Sequence, residues 1–221
     1  MRRNLTELVF ILDRSGSMSG LESDTIGGFN AMLQKQKAVE GEACVTTVLF
    51  DNEYELLHDR IDIRGVAPIT DRQYYVRGCT ALLDAVGRTI AKIRAAQQNT
   101  SEDMRAEKVI FVIITDGMEN ASREYHRGQV KEMIEHQKEK GWEFMFLGAN
   151  MDAVAEAGRM GIQPERAVTY ACDSAGTQLN YRVVGETLHR MRAEAAPLDG
   201  SWKEEIEADC ERRRSHSGGQ K

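Results

Sequence analysis

Apolar and polar residues alternate along this chain in blocks whose lengths predict strands and helices. Residues 8–12 form a continuous apolar run that is too short for a free-standing helix. Such a run is typical of a buried central strand in a parallel sheet. Residues 108–115 repeat the pattern, and residues 142–147 and 167–171 predict two further strands. The sequence therefore predicts a sheet with fully buried central strands.

Apolar residues recur with helical spacing between the predicted strands. The predicted helices cover residues 25–39, 82–98, 130–140, 153–160 and 174–191. Ser23 and Asp24 are the expected N-cap of the first helix, and Gly41 is expected to end it. Strands and helices in alternation predict an α/β protein.

One segment breaks this alternation, because two strand-like runs follow each other directly. Residues 44–50 are rich in Val and Thr, and Asp51 and Asn52 predict a tight turn into a second strand over residues 53–61. A turn this short joins only antiparallel neighbours. The side chains of Asp51 and His58 are expected at the surface of this hairpin.

Length and charge narrow the classes of function. At 221 residues the chain accommodates one α/β domain of ordinary size, with little room for a second. The formal net charge of -6 disfavours nucleic acid as a partner. No run approaches the ~20 apolar residues that a membrane span requires, and residues 1–4 are too short for a signal peptide. We therefore expect a cytoplasmic protein without a membrane partner.

The cysteines are scattered along the chain, at Cys44, Cys79, Cys172 and Cys210. Their spacing fits neither a zinc site nor a disulfide framework. Reduced thiols in the cytosol are the simplest account of this pattern.

The C-terminal part of the chain differs in character from the rest. We expect a domain over residues 1–194 and a tail over residues 195–221 that leaves the core. Trp202 and Ile206 support one more short helix in this tail, and residues 215–221 are expected to be disordered.

Candidate chemistry gathers where the two central strands end. Asp13, Ser15 and Ser17 follow the first strand, and Asp116 follows the strand over residues 108–115. Thr80 stands at the start of a predicted helix. Ligands of open α/β sheets bind at the carboxyl ends of the strands, and carboxylates with hydroxyls suit a hard cation such as Mg²⁺.

This set resembles the metal-ion-dependent adhesion site of von Willebrand factor A domains, in the order Asp13, Ser15, Ser17, Thr80 and Asp116. The resemblance covers about residues 5–191 and implies a doubly wound fold. In such a fold a mostly parallel central sheet has one antiparallel edge strand and helices on both faces, as in Rossmann-like proteins. Without a signal peptide, the chain resembles the stand-alone cytoplasmic members of this family that occur in bacteria.

The resemblance also implies how each residue would act. Ser15 and Ser17 would bind Mg²⁺, or Mn²⁺ in its place, directly. Asp13 would act through water, while Thr80 and Asp116 would exchange between direct and water-mediated contact. Nearby, Glu119 and Asn120 either reach a ligand or form a solvated loop pair, and the connection over residues 67–77 is a candidate rim of the site.

The primary hypothesis is a Mg²⁺-dependent protein-binding module that captures a Glu or Asp carboxylate of a protein partner. One alternative is a metal-dependent phosphohydrolase with Asp13 as nucleophile. Such enzymes expect a second acid where this chain has Ser15, and a positioned lysine is missing, so we expect no enzyme. A further alternative is a scaffold in which the metal only stabilises the fold.

Overall fold

A computed structural model describes residues 2–149, 151–194 and 198–217. The strands are Arg2–Asp13 (β1), Glu42–Phe50 (β2), Tyr54–Asp62 (β3), Ala106–Thr115 (β4), Glu143–Ala149 (β5) and Ala167–Tyr170 (β6). The helices are Glu22–Lys37 (α1), Leu82–Gln98 (α2), Arg127–Lys138 (α3), Ala153–Arg159 (α4), Ser174–Ala193 (α5) and Glu204–Ser217 (α6). Among the described residues, no helix combines the length and the apolar character needed to cross a membrane.

The strands form one six-stranded sheet in the order β3-β2-β1-β4-β5-β6. Strands β1, β2, β4, β5 and β6 are parallel, whereas β3 pairs antiparallel with β2 at one edge. The predicted hairpin and the mostly parallel sheet are therefore confirmed. The two apolar runs of the sequence, β1 and β4, are neighbours at the centre.

Alternate residues of β1 point into two separate apolar cores, one on each face of the sheet. Leu8 and Phe10 join the core under α1 and α5, while Val9 and Ile11 join the core under α2, α3 and α4. Burial on both faces explains why β1 reads as a continuous apolar run rather than an alternating one. The doubly wound architecture is confirmed.

Helix α1 begins earlier than the sequence predicts, at Glu22 with Leu21 as its N-cap. Asp24 therefore lies within the first turn and does not cap the helix. Its carboxylate instead accepts a hydrogen bond of 2.8 Å from the Ser174 hydroxyl at the start of α5. Asp24 thus connects α1 to α5 and does not serve as the expected N-cap.

The expectation of surface positions for Asp51 and His58 is wrong, because both side chains are buried. Asp51 forms ion pairs with two arginines, Arg14 and Arg77. These partners come from other loops, so the sequence around the hairpin does not reveal them.

We expected the tail to leave the core, but part of it packs into the core. Leu198, Trp202 and Ile206 are buried in the core beneath α1 and α5. A 3₁₀ turn over Gly200–Lys203 leads into α6, which packs against β6. The expectation of disorder is wrong for residues 215–217, which belong to α6, and residues 218–221 lie outside the described part of the chain.

Candidate metal centre

The carboxyl ends of β1 and β4 bring the predicted site residues to one edge of the sheet. The two strands are parallel and in register, with Leu12 opposite Ile114. Asp13 is the last residue of β1, and Asp116 follows the last residue of β4. Their loops consequently leave the sheet side by side, as the sequence predicts.

Three hydroxyls and one carboxylate form a continuous hydrogen-bonded row at this edge. The Thr80 hydroxyl donates to Ser15 Oγ at 3.0 Å, and Ser15 Oγ lies 3.0 Å from Ser17 Oγ. Ser17 Oγ donates in turn to Asp116 Oδ1 at 2.5 Å. Side chains from three different loops therefore converge on one point, with their oxygens directed at one another.

Asp13 stands beside this row and is held by its neighbours. Its Oδ1 accepts from the Ser15 backbone N–H at 2.6 Å, and its Oδ2 accepts from the Thr115 hydroxyl at 2.5 Å. The carbonyl oxygen of Asp13 accepts from the Tyr74 hydroxyl at 2.6 Å. The carboxylate is thus oriented by the loop that it helps to shape.

Glu119 and Asn120 connect the loop of Asp116 to the segment that begins at Thr80. Asn120 Oδ1 accepts from the Thr80 N–H, and the Asn120 N–H donates to the Thr80 carbonyl, both at 3.0 Å. Glu119 accepts from the Leu83 N–H in the first turn of α2. Their side chains hold backbone in place, a role that neither sequence interpretation of the pair had described.

Gly117 allows the hydroxyls to approach the loop of Asp116. A Cβ at this position would lie 2.3 Å from Thr80 Oγ1 and 3.1 Å from Ser17 Oγ. The separation of 2.3 Å is too short for a side chain and that of 3.1 Å is tight, so the Thr80 hydroxyl in particular requires glycine here.

Burial governs the charge of the two acids. It raises the pKa of Asp13, and hydrogen bonds from Ser15 and Thr115 offset part of this effect. Burial likewise raises the pKa of Asp116, which Ser17 and Cys172 partly offset. A cation beside buried carboxylates favours their ionised form, so the electrostatic environment suits a positive ligand.

The donor set fits a hard divalent cation. It offers oxygen atoms only, from two carboxylates and three hydroxyls, and Mg²⁺ and Mn²⁺ prefer such ligands. Across the described ranges, His, Cys, Asp and Glu form no group of three or more suited to a metal. The site instead relies on hydroxyl oxygens for three of its five proposed ligands.

Sequence reasoning missed the residues that support the site from below. Thr115 and Tyr74 hold Asp13, and the Cys172 thiol donates to Asp116 Oδ2 at 3.4 Å. Thr115 stands directly before Asp116, which was a usable signal. Cys172 is 56 positions from Asp116, so only the placement of β6 reveals it.

Arg14 anchors the loop of Ser15 from within the protein. Its buried guanidinium donates to Asp51 at 3.1 Å and to Glu55 at 2.6 Å. Arg77 donates to the same Asp51 oxygen at 2.7 Å, and its backbone N–H donates to the Arg14 carbonyl. The segment that leads to Thr80 is thereby fastened to the loop that carries Ser15.

Comparisons with solved structures agree with this architecture. A von Willebrand factor type A protein from Catenulispora acidiphila matches with a TM-score of 0.55 and 14% identity, over 82% of this chain and 42% of that chain. The fold is that of a von Willebrand factor A domain. At the level of sequence, neither a family model nor a curated protein matches the chain.

Two further neighbours share the von Willebrand factor A fold. Proximal thread matrix protein 1 of the mussel byssus has a TM-score of 0.57 and 13% identity, over 84% of this chain and 46% of its own. The Plasmodium vivax TRAP protein has a TM-score of 0.58 and 16% identity, over 81% and 73%. This chain thus spans about half the length of the mussel protein. One structure of that protein has a zinc-occupied metal-ion-dependent adhesion site, and the TRAP structure is manganese-loaded.

Proposed function

We propose that this protein is a Mg²⁺-dependent protein-binding module that captures a Glu or Asp carboxylate of a protein partner. The observation that carries the proposal is the hydrogen-bonded row of Thr80, Ser15, Ser17 and Asp116. Asp13 completes the proposed metal set through water. Mn²⁺ is the alternative ion, and metal-bearing neighbours with the same fold support a divalent cation.

The charge balance of the site favours capture of an acid. Both oxygens of Asp13 accept hydrogen bonds, from Ser15 and Thr115, so when Asp116 contacts the ion through water the direct ligands are neutral hydroxyls. An ion held mainly by neutral oxygens keeps much of its charge. A carboxylate from a partner is then a favourable further ligand, because Mg²⁺ demands octahedral coordination by oxygen.

The same contacts argue against Asp13 as a nucleophile. Each oxygen of Asp13 already accepts a hydrogen bond, from Ser15 N–H or from Thr115, and these bonds make the carboxylate a weaker nucleophile. The neighbouring cation, Arg14, is buried and directed at Asp51 and Glu55. We therefore propose binding and not catalysis. Metal-dependent turnover of an aryl phosphate that disappears in Asp13→Asn would contradict this choice.

A cytoplasmic setting and a partner other than nucleic acid complete the proposal. All four cysteines are free of disulfide bonds, which suits a reducing compartment. The net charge of -6 favours a protein partner over nucleic acid. The division into a domain over residues 1–194 and a tail stays a prediction.

Calorimetric titration of Mg²⁺ into metal-stripped protein tests the site. We expect saturable binding by the native chain and none by Asp13→Ala. Asp103→Ala is the matched control, because this exposed acid precedes β4 at the far end of the sheet. Binding that survives Asp13→Ala unchanged would refute the proposed site. Binding of partner carboxylates is tested separately below, with EDTA as the control.

A further inference from the structure

Two exposed apolar side chains lie on the loops that carry the residues of the proposed metal centre. Among the described residues, the exposed large apolar side chains are Ile61, Tyr75, Met104 and Met118. Two of them, Tyr75 and Met118, belong to the loops that carry the site. Scattered single apolar residues need no explanation, but two on loops that carry one polar site form a pattern.

Met118 is fixed to the site by its neighbour in the chain. It follows Gly117, whose Cβ position lies within 2.3 Å of the Thr80 hydroxyl and 3.1 Å of the Ser17 hydroxyl. Consecutive Cα atoms are about 3.8 Å apart, so the backbone of Met118 lies within one residue of the hydroxyl row. Its side chain is nevertheless 65% exposed.

Tyr75 is held in the loop before Thr80. The preceding Tyr74 donates to the Asp13 carbonyl, and Arg77 donates through its backbone to the Arg14 carbonyl. The guanidinium carbons of Arg14 and Arg77 lie 5.4 and 5.5 Å from the centre of the Tyr75 ring. These cation–π contacts restrain the ring, although it remains 43% exposed.

A restrained, exposed aromatic ring and a flexible thioether are the side chains that anchor protein interfaces. We propose that Tyr75 and Met118 select the partner: a peptide segment whose metal-binding Glu or Asp has bulky apolar residues close to it in sequence. This inference rests on the proposed function. Charge complementarity fixes the acid at the metal, and the two apolar side chains discriminate among acids.

The remaining exposed apolar residues provide matched controls. Met104 lies in the 3₁₀ turn Glu102–Met104, before β4, whereas Met118 lies beyond its other end. The ten residues of β4 separate them by roughly 30 Å at the rise of an extended strand. Met104→Ser consequently removes an exposed methionine side chain, as Met118→Ser does, but at a position outside the proposed surface.

The experiment uses a displayed peptide library with a fixed central Glu and randomised flanking positions, selected on the full chain in Mg²⁺ and in EDTA. We expect enrichment of Leu, Ile, Met and aromatic residues beside the Glu in Mg²⁺ only. For an enriched peptide, Met118→Ser and Tyr75→Ala should each weaken binding about tenfold, the effect of losing one interface anchor. Met104→Ser should leave the affinity within twofold of native.

The outcomes separate the two proposals. Selection of acids without apolar neighbours, or equal affinities for Met118→Ser and Met104→Ser, would refute the inference. Mg²⁺-dependent selection that Asp13→Ala abolishes would still support the proposed function in that case. No Mg²⁺-dependent selection would refute both. Met118→Ser is the decisive variant, because Met118 is exposed and its replacement should not disturb folding. Circular dichroism verifies that each variant is folded.

Discussion

Loss of Asp51 should destabilise the protein more than loss of Arg14, although the two form one buried ion pair. Asp51 accepts three hydrogen bonds, from Arg14, Arg77 and the Glu53 N–H. Arg14 donates to Asp51 and Glu55, and its second terminal nitrogen is buried with no hydrogen-bond partner in the described part of the chain. The two substitutions therefore leave different buried charged groups behind.

Removing Asp51 leaves the buried Arg14 guanidinium paired, among the described residues, only with the partly exposed Glu55, and removing one partner of a buried pair costs about 3–5 kcal/mol. In Arg14→Met, by contrast, Asp51 keeps Arg77 at 2.7 Å and the Glu53 N–H at 2.6 Å. Arg14→Met loses two charged hydrogen bonds: the one to Asp51 corresponds to about 1.5–3 kcal/mol, and the one to the partly exposed Glu55 to about 1 kcal/mol or less. Removal of the unpartnered nitrogen offsets part of this loss.

Urea unfolding followed by circular dichroism in EDTA measures both free energies of unfolding. We expect Asp51→Ala to lose more stability than Arg14→Met, with the same slope against urea concentration. Arg77→Met is the control, since its partly exposed side chain should contribute about 1 kcal/mol or less. A loss for Arg14→Met equal to or larger than that for Asp51→Ala would refute the reasoning.

Three further predictions concern His58, Tyr170 and Gly28. Burial lowers the pKa of His58, so stability should be full above about pH 6.5 and fall as the pH drops towards the native pKa. His58→Gln should flatten that slope in pH-dependent unfolding, and an unchanged slope would exclude His58 as its source. The Tyr170 hydroxyl is buried without a partner among the described residues, so Tyr170→Phe should match or exceed native stability by up to about 1 kcal/mol, whereas a lower melting temperature would reveal a partner. Gly28→Ala would place Cβ 2.5 Å from the Tyr181 ring and should cost about 1–3 kcal/mol in thermal unfolding, whereas Gly27→Ala, with nothing within 4 Å, should not destabilise; equal effects would contradict this packing.

The fold was predictable because its two central strands are visible in the sequence as continuous apolar runs. β1 and β4 are buried on both faces, and this requirement imposes continuous apolar runs that few other structures share. The short turn at Asp51 and Asn52 likewise permits only an antiparallel neighbour. The coming together of Asp13 and Asp116 follows from two parallel neighbours that end at one edge.

The support of the site was not predictable, because it depends on contacts between distant parts of the chain. Arg14 and Asp51 are 37 positions apart, and each alone resembles an ordinary charged loop residue. The tail misled for a similar reason. Trp202 and Ile206 stand among charged residues, so their burial becomes visible only when α6 is placed beside β6.

The position of α6 has a consequence for how copies of the chain can associate. β6 is the last strand of the sheet, and an uncovered last strand offers its backbone to a strand of another molecule. Here Lys203 and Cys210 donate to the carbonyls of Ala167 and Thr169 in β6. The C-terminal helix thus blocks intermolecular strand addition, and a chain shortened before Leu198 should aggregate through β6.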